Sequence, residues 1–192
     1  MIIKDTLYRF VKWLRYIFYY KRIFAYVHKN ASINSPLHID GPYNMYIGNI
    51  HVGYKTWLAA MPLTDAAKCK LTISDGCILG HFNHIYATGE LIIEKNVLTA
   101  DRVYISDNLH GYENVELPIL EQPIKQNGHV VIGEGSWLGE NVCVVGASVG
   151  KHCVIGANSV VTKDIPDYCV AVGIPAKVIK RYDFESGKWV RC

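Results

Sequence analysis

The chain has 192 residues, of which 50% are hydrophobic and 19% are charged, and its formal net charge is +3. This length suits one domain, and the hydrophobic content excludes a globally disordered chain. The small net charge gives no support to nucleic-acid binding. The six cysteines form no CxxC pair and no zinc-ligand spacing, which favours a reducing, cytoplasmic compartment.

Residues 1–30 combine basic and apolar side chains at helical spacing. Their net charge is +6, so the remaining residues together carry −3. Apolar residues recur on one side of a helix, and Lys12, Arg15 and Arg22 recur on another. No apolar run reaches the length of about 18 residues that spans a bilayer, and no signal-peptide cleavage site follows. We predict a basic amphipathic helix, which either caps the open end of the following fold and packs between subunits or lies on anionic lipid.

From residue 31 a branched residue returns at about every sixth position, although the repeat is irregular. The members of this series are Ile47, Val52, Leu58, Ile73, Leu79, Ile85, Ile93, Thr99 and Ile105. An excursion is predicted at 59–68, and the repeat slips by two residues around Gly89 and Glu90. After Ile105 no repeat fits until Val130, which predicts a loop at 107–129. Irregular segments longer than about 12–15 residues in a compact domain are usually functional or disordered.

Residues 130–181 carry the most regular repeat of the chain. Aliphatic residues follow each other at steps of six, six, five, six and six, at Ile132, Leu138, Val144, Val149, Ile155 and Val161. This period fits neither a helix nor a single alternating strand, and a fixed six-residue repeat predicts a stacked β-helix. Its aliphatic residues point inward and Gly or Asn takes the tight bends. We place this β-helix at 31–175 and a C-terminal tail at 176–192. Cys77, Cys143 and Cys153 are predicted as small core residues, and the five-residue step as one tightened bend.

Three segments carry a family resemblance: SWLG at 136–139, IGANSVVTKDIP at 155–166 and AVGIPAKVI at 171–179. In order and spacing they resemble the hexapeptide-repeat acyltransferases, most nearly the branch of maltose, galactoside and polysaccharide O-acetyltransferases. The resemblance implies an all-β fold with a helical N-terminal extension, namely a left-handed parallel β-helix that works as a homotrimer. It implies acetyl-CoA as acyl donor, no metal, and a sugar or polysaccharide hydroxyl as acceptor.

The resemblance assigns the catalytic base to a His at the start of a loop that leaves one coil, which is His110 here. A sugar hydroxyl is not ionised at neutral pH, so its proton must leave as its oxygen attacks the thioester. An imidazole, with an unperturbed pKa of about 6.5, suits this task. Asp107 is predicted to orient the imidazole, although an Asp at a bend commonly bonds its own backbone.

The donor site is also assigned by resemblance. The backbone N–H of Glu140, at the bend after Gly139, is the candidate donor to the oxyanion of the tetrahedral intermediate. Trp137 matches the aromatic residue that packs along the pantetheine arm, although it could instead be a trimer contact. The remaining matches are the groove positions Ala157 and Thr162 and the phosphate-binding positions Lys163, Lys177 and Lys180. No nucleophile signature indicates a covalent acyl-enzyme, so direct transfer is expected.

The acceptor side departs from the family pattern. The related enzymes carry an Asn one coil before the base, where this chain has His81, and Asn83 is expected to point the same way two residues on. This difference argues against simple maltose or galactoside specificity. Tyr112, in the loop, is a further candidate for sugar contact.

Several alternatives stay open at this point. N-acetylation of an amino sugar nucleotide, or O-acetylation of a xenobiotic, would use the same donor site. A zinc-dependent carbonic anhydrase on the same fold is disfavoured, because no pair of His residues lies five apart, and a non-catalytic scaffold would not need His110. In a trimer we expect His110 and the region of Lys163 and Lys177 to meet across each interface. We expect a cytoplasmic protein, with the possibility of peripheral contact at the inner face of an anionic membrane.

Overall fold

The computed structural model describes residues 10–11 and 13–192, so much of the expected N-terminal helix lies outside the described residues. Helical structure continues through a π-helical turn at Tyr16–Tyr20 to a short α-helix at Lys21–Ile23. The rings of Tyr20 and Phe24 pack edge to face on each other and are buried in the core cluster, so this segment covers one end of the hydrophobic core. No helix among the described residues is long and apolar enough to cross a membrane.

Short parallel strands follow each other in seven coils, and the first coil begins at Tyr26, earlier than the expected residue 31. The first four coils contain β1 (Tyr26–Val27), β2 (Ser32–Ile33), β3 (His38–Asp40), β4 (Met45–Ile47), β5 (His51–Val52), β6 (Trp57–Ala60), β7 (Lys70–Ile73), β8 (Ile78–Leu79), β9 (His84–Ala87), β10 (Glu90–Ile93), β11 (Leu98–Thr99) and β12 (Tyr104–Ser106). A ribbon of β13 (Asn108–His110) and β14 (Ile124–Gln126) interrupts them. The last coils contain β15 (Val130–Ile132), β16 (Trp137–Leu138), β17 (Cys143–Val145), β18 (Val154–Ile155), β19 (Val160–Val161) and β20 (Cys169–Val172), before β21 (Lys177–Asp183) and β22 (Lys188–Arg191). Short 3-10 turns lie at Pro42–Asn44 and Ile119–Glu121.

The coils stack into three parallel sheets that form a three-sided prism, and the left-handed parallel β-helix is confirmed. Sheet 1 has the order β1-β4-β7-β10-β15, sheet 2 the order β2-β5-β8-β11-β16-β18-β20 followed by β21 and β22, and sheet 3 the order β3-β6-β9-β12-β17-β19. Inward residues stack in register from coil to coil, as Ile47, Ile73, Ile93 and Ile132 do in sheet 1. All fifteen inward positions named from the sequence are buried, because each fills the prism at the level of its own coil.

The corners between sheets need residues in the left-handed backbone region. At edge 2/3, where sheet 2 passes into sheet 3, the φ angles of Phe82, Arg102, Asn141 and Asn158 are +56°, +57°, +56° and +60°. Asn tolerates this region and was expected there, whereas Phe and Arg are unusual. Each of these residues donates its backbone N–H to a carbonyl of the preceding coil, at 2.8–3.1 Å. The hydrogen bonds between coils therefore hold the left-handed residues in place.

Changes in repeat length occur at edge 3/1, where sheet 3 returns to sheet 1. The excursion lies here and runs from Met61 to Cys69, because Ala59 and Ala60 belong to β6. The slip at Thr88 and Gly89, the loop at 107–129 and the five-residue step after Val144 lie at the same edge. Val149 is still 1% exposed and bridges Ile132, so the short step tightens a bend without losing a coil.

The segment expected as a C-terminal tail forms an antiparallel hairpin. β21 pairs with β20 and β22 pairs with β21, which extends sheet 2 beyond the last coil. Cys77 and Cys153 are buried as expected, and burial raises the pKa of each thiol to about 11. Cys143 is not a core residue: it lies on the outer side of sheet 3, because its neighbours Val142 and Val144 point inward.

Candidate active site

The loop at 107–129 is an ordered structure that presents His110 at its exposed end. β13 and β14 pair antiparallel, with His110 opposite Ile124, and the Gly111 N–H donates to the Pro123 carbonyl at 2.9 Å. His110 is exposed on this ribbon, which leaves the prism at edge 3/1. The position predicted for the catalytic base is therefore held by a backbone ladder and is open to substrate.

Asp107 anchors the base of this loop. Its side chain is 0% exposed, and it accepts hydrogen bonds from the backbone N–H groups of Thr88 and Gly89, both at 2.8 Å, and from the Thr88 hydroxyl at 3.1 Å. The side-chain amide of Asn108 donates to it at 3.2 Å. Thr88 and Gly89 lie on the coil, Asn108 lies on the ribbon, and none of the hydrogen bonds to the carboxylate comes from His110. Asp107 thus fixes the two-residue slip and the root of the loop, and a direct role in orienting His110 stays a prediction.

Two glutamines tie the rest of the loop together. Gln126 accepts hydrogen bonds from the hydroxyls of Thr64 and Thr88, at 3.1 and 3.0 Å, and so joins the loop to the excursion. Gln122 bonds the backbone of Asn114 in both directions. Tyr112, the proposed sugar contact, is 65% exposed just beyond His110. Sequence reasoning missed these anchors, because a lone Gln in an irregular segment carries no pattern.

The predicted oxyanion donor lies at edge 2/3. At this corner the N–H of Tyr54 donates to the His81 side chain at 2.8 Å, and the N–H of His81 donates to the Asp101 carboxylate at 2.7 Å, one coil on in each case. The residue one coil on from Glu140 is Ala157, whose methyl group accepts no hydrogen bond. Across residues 10–11 and 13–192, the Glu140 N–H has no hydrogen-bond partner. It is therefore free to bind an oxyanion.

Gly139 allows the two coils to approach at this point. A Cβ atom on Gly139 would lie 2.7 Å from the backbone nitrogen of Ala157, closer than atoms in contact can be. The Glu140 side chain turns away and pairs with Arg102 at 2.8 Å. Both charged groups are solvent-exposed, so we assign this pair little stability.

The predicted donor residues fall into two groups. Trp137 is 46% exposed on the outer side of sheet 2 and lies in register with Val154, Val170 and Lys180 across three strand steps, about 14 Å. Lys177, opposite Val172, shares this outer side. Thr162 and Lys163 follow β19 and lie instead at edge 3/1, the edge that carries His110. The residues predicted to bind the donor are therefore divided among edge 2/3, edge 3/1 and the outer side of sheet 2.

The predicted acceptor residues separate as well. His81 is exposed at edge 2/3, but Asn83 is 1% exposed and its amide bonds Thr99 and the backbone of Val103 inside the prism. The expectation that Asn83 points the same way as His81 is wrong, because Phe82 between them has φ +56° and breaks the strand alternation. Asn83 is therefore not a candidate for binding the acceptor.

Comparisons with known proteins identify the repeat and several similar enzymes. The family model described as "Hexapeptide repeat of succinyl-transferase" matches residues 129–163. Over 123 residues the chain is 37% identical to a protein of Escherichia coli K12 named for O-acetyl transfer in lipopolysaccharide biosynthesis, covering 60% of this chain and 63% of that protein. It is 32% identical over 166 residues to the galactoside O-acetyltransferase of Escherichia coli K12, covering 83% of this chain and 65% of that enzyme. The chain is therefore similar in sequence to hexapeptide-repeat acetyltransferases, and residues 129–163 carry their repeat.

A solved member of this fold supports the architecture. An N-acyltransferase from Bacillus cereus, in complex with dTDP and 3-hydroxybutyryl-CoA, superposes with a TM-score of 0.69 and 21% identity, covering 86% of this chain and 87% of that one. The chain spans less than two thirds of the two Escherichia coli relatives that it matches. Among the residues that the structure describes, no group of three or more His, Cys, Asp or Glu side chains could hold a metal ion.

Within this acetyltransferase fold, Asp107 offers a test of structural against catalytic roles. Asp107→Ala leaves the buried N–H groups of Thr88 and Gly89 without acceptors. We expect it to cost about 1–3 kcal/mol of unfolding free energy and to lower the thermal midpoint by about 2–4 °C per kcal/mol. Thermal unfolding followed by circular dichroism measures this, with Asp65→Ala on the exposed excursion as control. An unchanged midpoint combined with lost activity would instead show that Asp107 acts on His110.

Proposed function

We propose that the chain is an acetyl-CoA-dependent O-acetyltransferase that acylates a hydroxyl of a sugar or glycan precursor. The observation that carries the proposal is the pair of preformed groups: His110 exposed on an anchored ribbon, and the unpaired N–H of Glu140 near the outward Trp137. The activities named for the Escherichia coli relatives, O-acetyl transfer in lipopolysaccharide biosynthesis and on galactosides, support the acceptor class. The bound 3-hydroxybutyryl-CoA of the Bacillus cereus structure supports a CoA thioester as donor.

His110 acts as general base in this mechanism. Its imidazole takes the proton of the acceptor hydroxyl while the hydroxyl oxygen attacks the thioester carbonyl carbon. The Glu140 N–H donates a hydrogen bond to the oxyanion of the tetrahedral intermediate, at no cost of reorganisation because no other group holds it. The C–S bond then breaks, and the imidazolium returns its proton to the leaving thiolate. The products are the acetyl ester and free CoA, with no acyl-enzyme.

The donor groups divide by chemistry. The exposed face of Trp137 offers apolar contact to the pantetheine arm, and the open corner at Ala157 leaves room beside the Glu140 N–H. Lys177 and Lys180 continue the same outer side of sheet 2 toward the C-terminal end, where their ammonium groups suit the CoA phosphates. Thr162 and Lys163 would reach the donor from the other edge.

Within a single chain, the two halves of this site lie at different edges of the prism. His110 lies at edge 3/1 and Glu140 at edge 2/3, with sheet 3 between them. A threefold arrangement resolves this separation, because edge 3/1 of one copy meets edge 2/3 of the next and closes the ring. We therefore propose a homotrimer in which His110 and Lys163 of one subunit face Trp137, Glu140 and Lys177 of its neighbour.

We also propose that the N-terminal segment holds the enzyme at an anionic membrane surface on the cytoplasmic side, where acetyl-CoA is available. Phe10, Trp13 and Phe18 are 54%, 54% and 58% exposed, although large aromatic side chains are usually covered. Arg15 and Arg22 are exposed on the same segment. Exposed aromatic and basic groups together suit the interface of an anionic bilayer, and each basic residue adds about 1 kcal/mol of salt-sensitive attraction.

The first prediction from the proposed function concerns His110. His110→Ala should lower kcat by about 10²–10⁴ while the fold and acetyl-CoA affinity are kept, because only proton transfer is lost. Thiol release from acetyl-CoA, measured over a panel of sugars, amino sugars and amino sugar nucleotides, follows turnover. His129→Ala is the control, since His129 is exposed but precedes β15, away from the ribbon tip. Activity of His110→Ala within threefold of wild type would contradict the assignment of His110 as general base. Acetyl transfer only to amines would identify an N-acetyltransferase.

The second prediction concerns the shared site. Ala157→Trp should block the pocket beside the Glu140 N–H and inactivate the enzyme, as His110→Ala does. If the halves come from different subunits, refolding equal amounts of the two inactive variants together restores about a quarter of wild-type sites. Half of the subunits supply an intact His110, and half of their neighbours supply an intact Ala157. Light scattering should give the mass of three chains. No recovery on mixing would place the site within one chain, and a monomeric mass at micromolar concentration would exclude the trimer.

The third prediction concerns the membrane. Wild type should co-sediment with phosphatidylserine-containing vesicles at low salt, and Arg15→Glu/Arg22→Glu should do so much less, because both charges are reversed. Lys95→Glu/Lys151→Glu, with the same charge change on exposed solenoid corners, should bind like wild type. Turnover of a short soluble acceptor should not change in any of these variants. If the wild type does not co-sediment with the vesicles at low salt, the membrane proposal is wrong and the N-terminal segment only caps the end of the β-helix.

A further inference from the structure

A depression lined by aromatic side chains lies beside edge 3/1 on the N-terminal side of His110. Its main lining residues, which we call the aromatic groove, are Asp40, Tyr43, Trp57, Leu63 and Tyr86. The volume of the depression is about 430 Å³. Sequence analysis gave no role to any of these residues.

Contacts within the groove hold its central ring in one orientation. The Trp57 indole N–H donates to a carboxylate oxygen of Asp40 at 2.6 Å. The indole also stacks on the His84 ring, with centroids 4.2 Å apart and an interplanar angle of 7°. The other carboxylate oxygen of Asp40 has no partner in the part of the chain that the structure describes and can accept a hydroxyl hydrogen bond. Tyr43 is 62% exposed at the rim.

The groove continues to the candidate base. Leu63 also lines a second depression of about 450 Å³, together with Thr64, Pro123 and the strand β14. Ile124 in that strand is the pairing partner of His110. In the opposite direction, Ile39 and Asp40 line a third depression that reaches Arg15 and Tyr19 in the N-terminal segment. The three depressions therefore share lining residues and follow one another from the N-terminal segment to the ribbon that carries His110.

These depressions lie on the side of His110 from which the acceptor, and not the donor, would approach. Trp137, Ala157, Lys163 and Lys177, the donor residues of the proposed function, lie in coils on the C-terminal side of the His110 loop. The acceptor hydroxyl must approach His110 from the other side. From β3 to β9 the aromatic groove crosses two strand steps, about 10 Å, which is longer than one sugar ring.

We propose that the aromatic groove binds the non-reacting sugars of a glycan acceptor of several residues, whose reacting sugar lies at His110. Aromatic faces with a small number of fixed polar groups are the usual lining of specific small-molecule sites. The C–H faces of pyranose rings stack on Tyr43 and Tyr86, beside the edge of the Trp57 ring, and a ring hydroxyl donates to Asp40. This inference rests on the proposed sugar O-acetyltransferase function and extends it from a monosaccharide to an oligosaccharide substrate.

The experiment compares acceptors of increasing length. Thiol release is measured with maltose, maltotriose, maltotetraose and maltohexaose, and with galacto-oligosaccharides of the same lengths. Binding of each hexasaccharide is measured separately by saturation-transfer NMR, which does not require turnover. We expect kcat/KM of wild type to rise with length in the ladder that is turned over. Tyr43→Ala should remove about five- to tenfold of kcat/KM for the longest acceptor and leave the shortest unchanged.

The matched control is Tyr46→Ala, an exposed Tyr three residues away on the outer side of sheet 1, which should behave like wild type. Trp57→Phe, which keeps a ring but loses the bond to Asp40, should weaken the longest acceptor as well. Equal kcat/KM for all lengths in wild type, or a Tyr43→Ala effect on the shortest acceptor, overturns the proposal. A change of oligomeric mass in Tyr43→Ala would show that a second copy covers the groove instead.

The two proposals fail in different ways. Hexasaccharide binding that is lost in Tyr43→Ala, without thiol release from any sugar, would support the groove and refute the O-acetyltransferase. Thiol release with a monosaccharide and no hexasaccharide binding would leave the enzyme in place and refute the groove.

Discussion

The stacking of inward residues from coil to coil is the constraint on which the rest of this molecule depends. Each coil must place one branched residue per sheet on the residue beneath it, as Ile85, Ile105 and Val144 do in sheet 3. At edge 2/3 successive inward residues are always six apart, and at edge 1/2 the same holds with one five-residue exception at Ile47. The spacing at edge 3/1 varies far more widely, from four residues after Val161 to 27 after Ile105. Length can change there because the chain leaves and re-enters the stack without shifting any inward residue.

The site follows from this division. A regular edge repeats its backbone geometry from coil to coil, so the residue one coil on decides whether a corner N–H is paired. Ala157 offers no acceptor to the N–H of Glu140, which stays unpaired among the described residues. The variable edge supplies what the repeat cannot, namely a side chain carried away from the prism surface on a ribbon. Asp107 joins the two kinds of structure, since its buried carboxylate ties the ribbon to the slipped corner at Thr88 and Gly89.

The sequence predicted the repeat, its inward residues and the place of the loop, because burial in a narrow prism imposes a strict pattern on residue type. The same pattern predicted the slip and the short step, as departures from it. It did not predict that Asn83 points inward, because the left-handed Phe82 breaks the alternation that a plain strand would keep. The hairpin at 177–191 was missed because its antiparallel strands do not follow the six-residue period. The aromatic groove was missed for another reason: Asp40, Trp57 and Tyr86 lie 17 and 29 residues apart in sequence, and they share one face only when β3, β6 and β9 stack.

The hairpin of β21 and β22 also has a bearing on how the protein stays in solution. A stack of parallel coils presents the same unpaired backbone groups at its last coil as at every earlier one, so another molecule could continue the stack indefinitely. β21 reverses direction along sheet 2, and together with β22 it covers the final parallel strand of that sheet. Tyr20 and Phe24 cover the opposite end of the core. The two ends therefore act as terminators of fibre growth, and a chain truncated before Lys177 would expose a growing end of the kind from which amyloid-like assemblies extend.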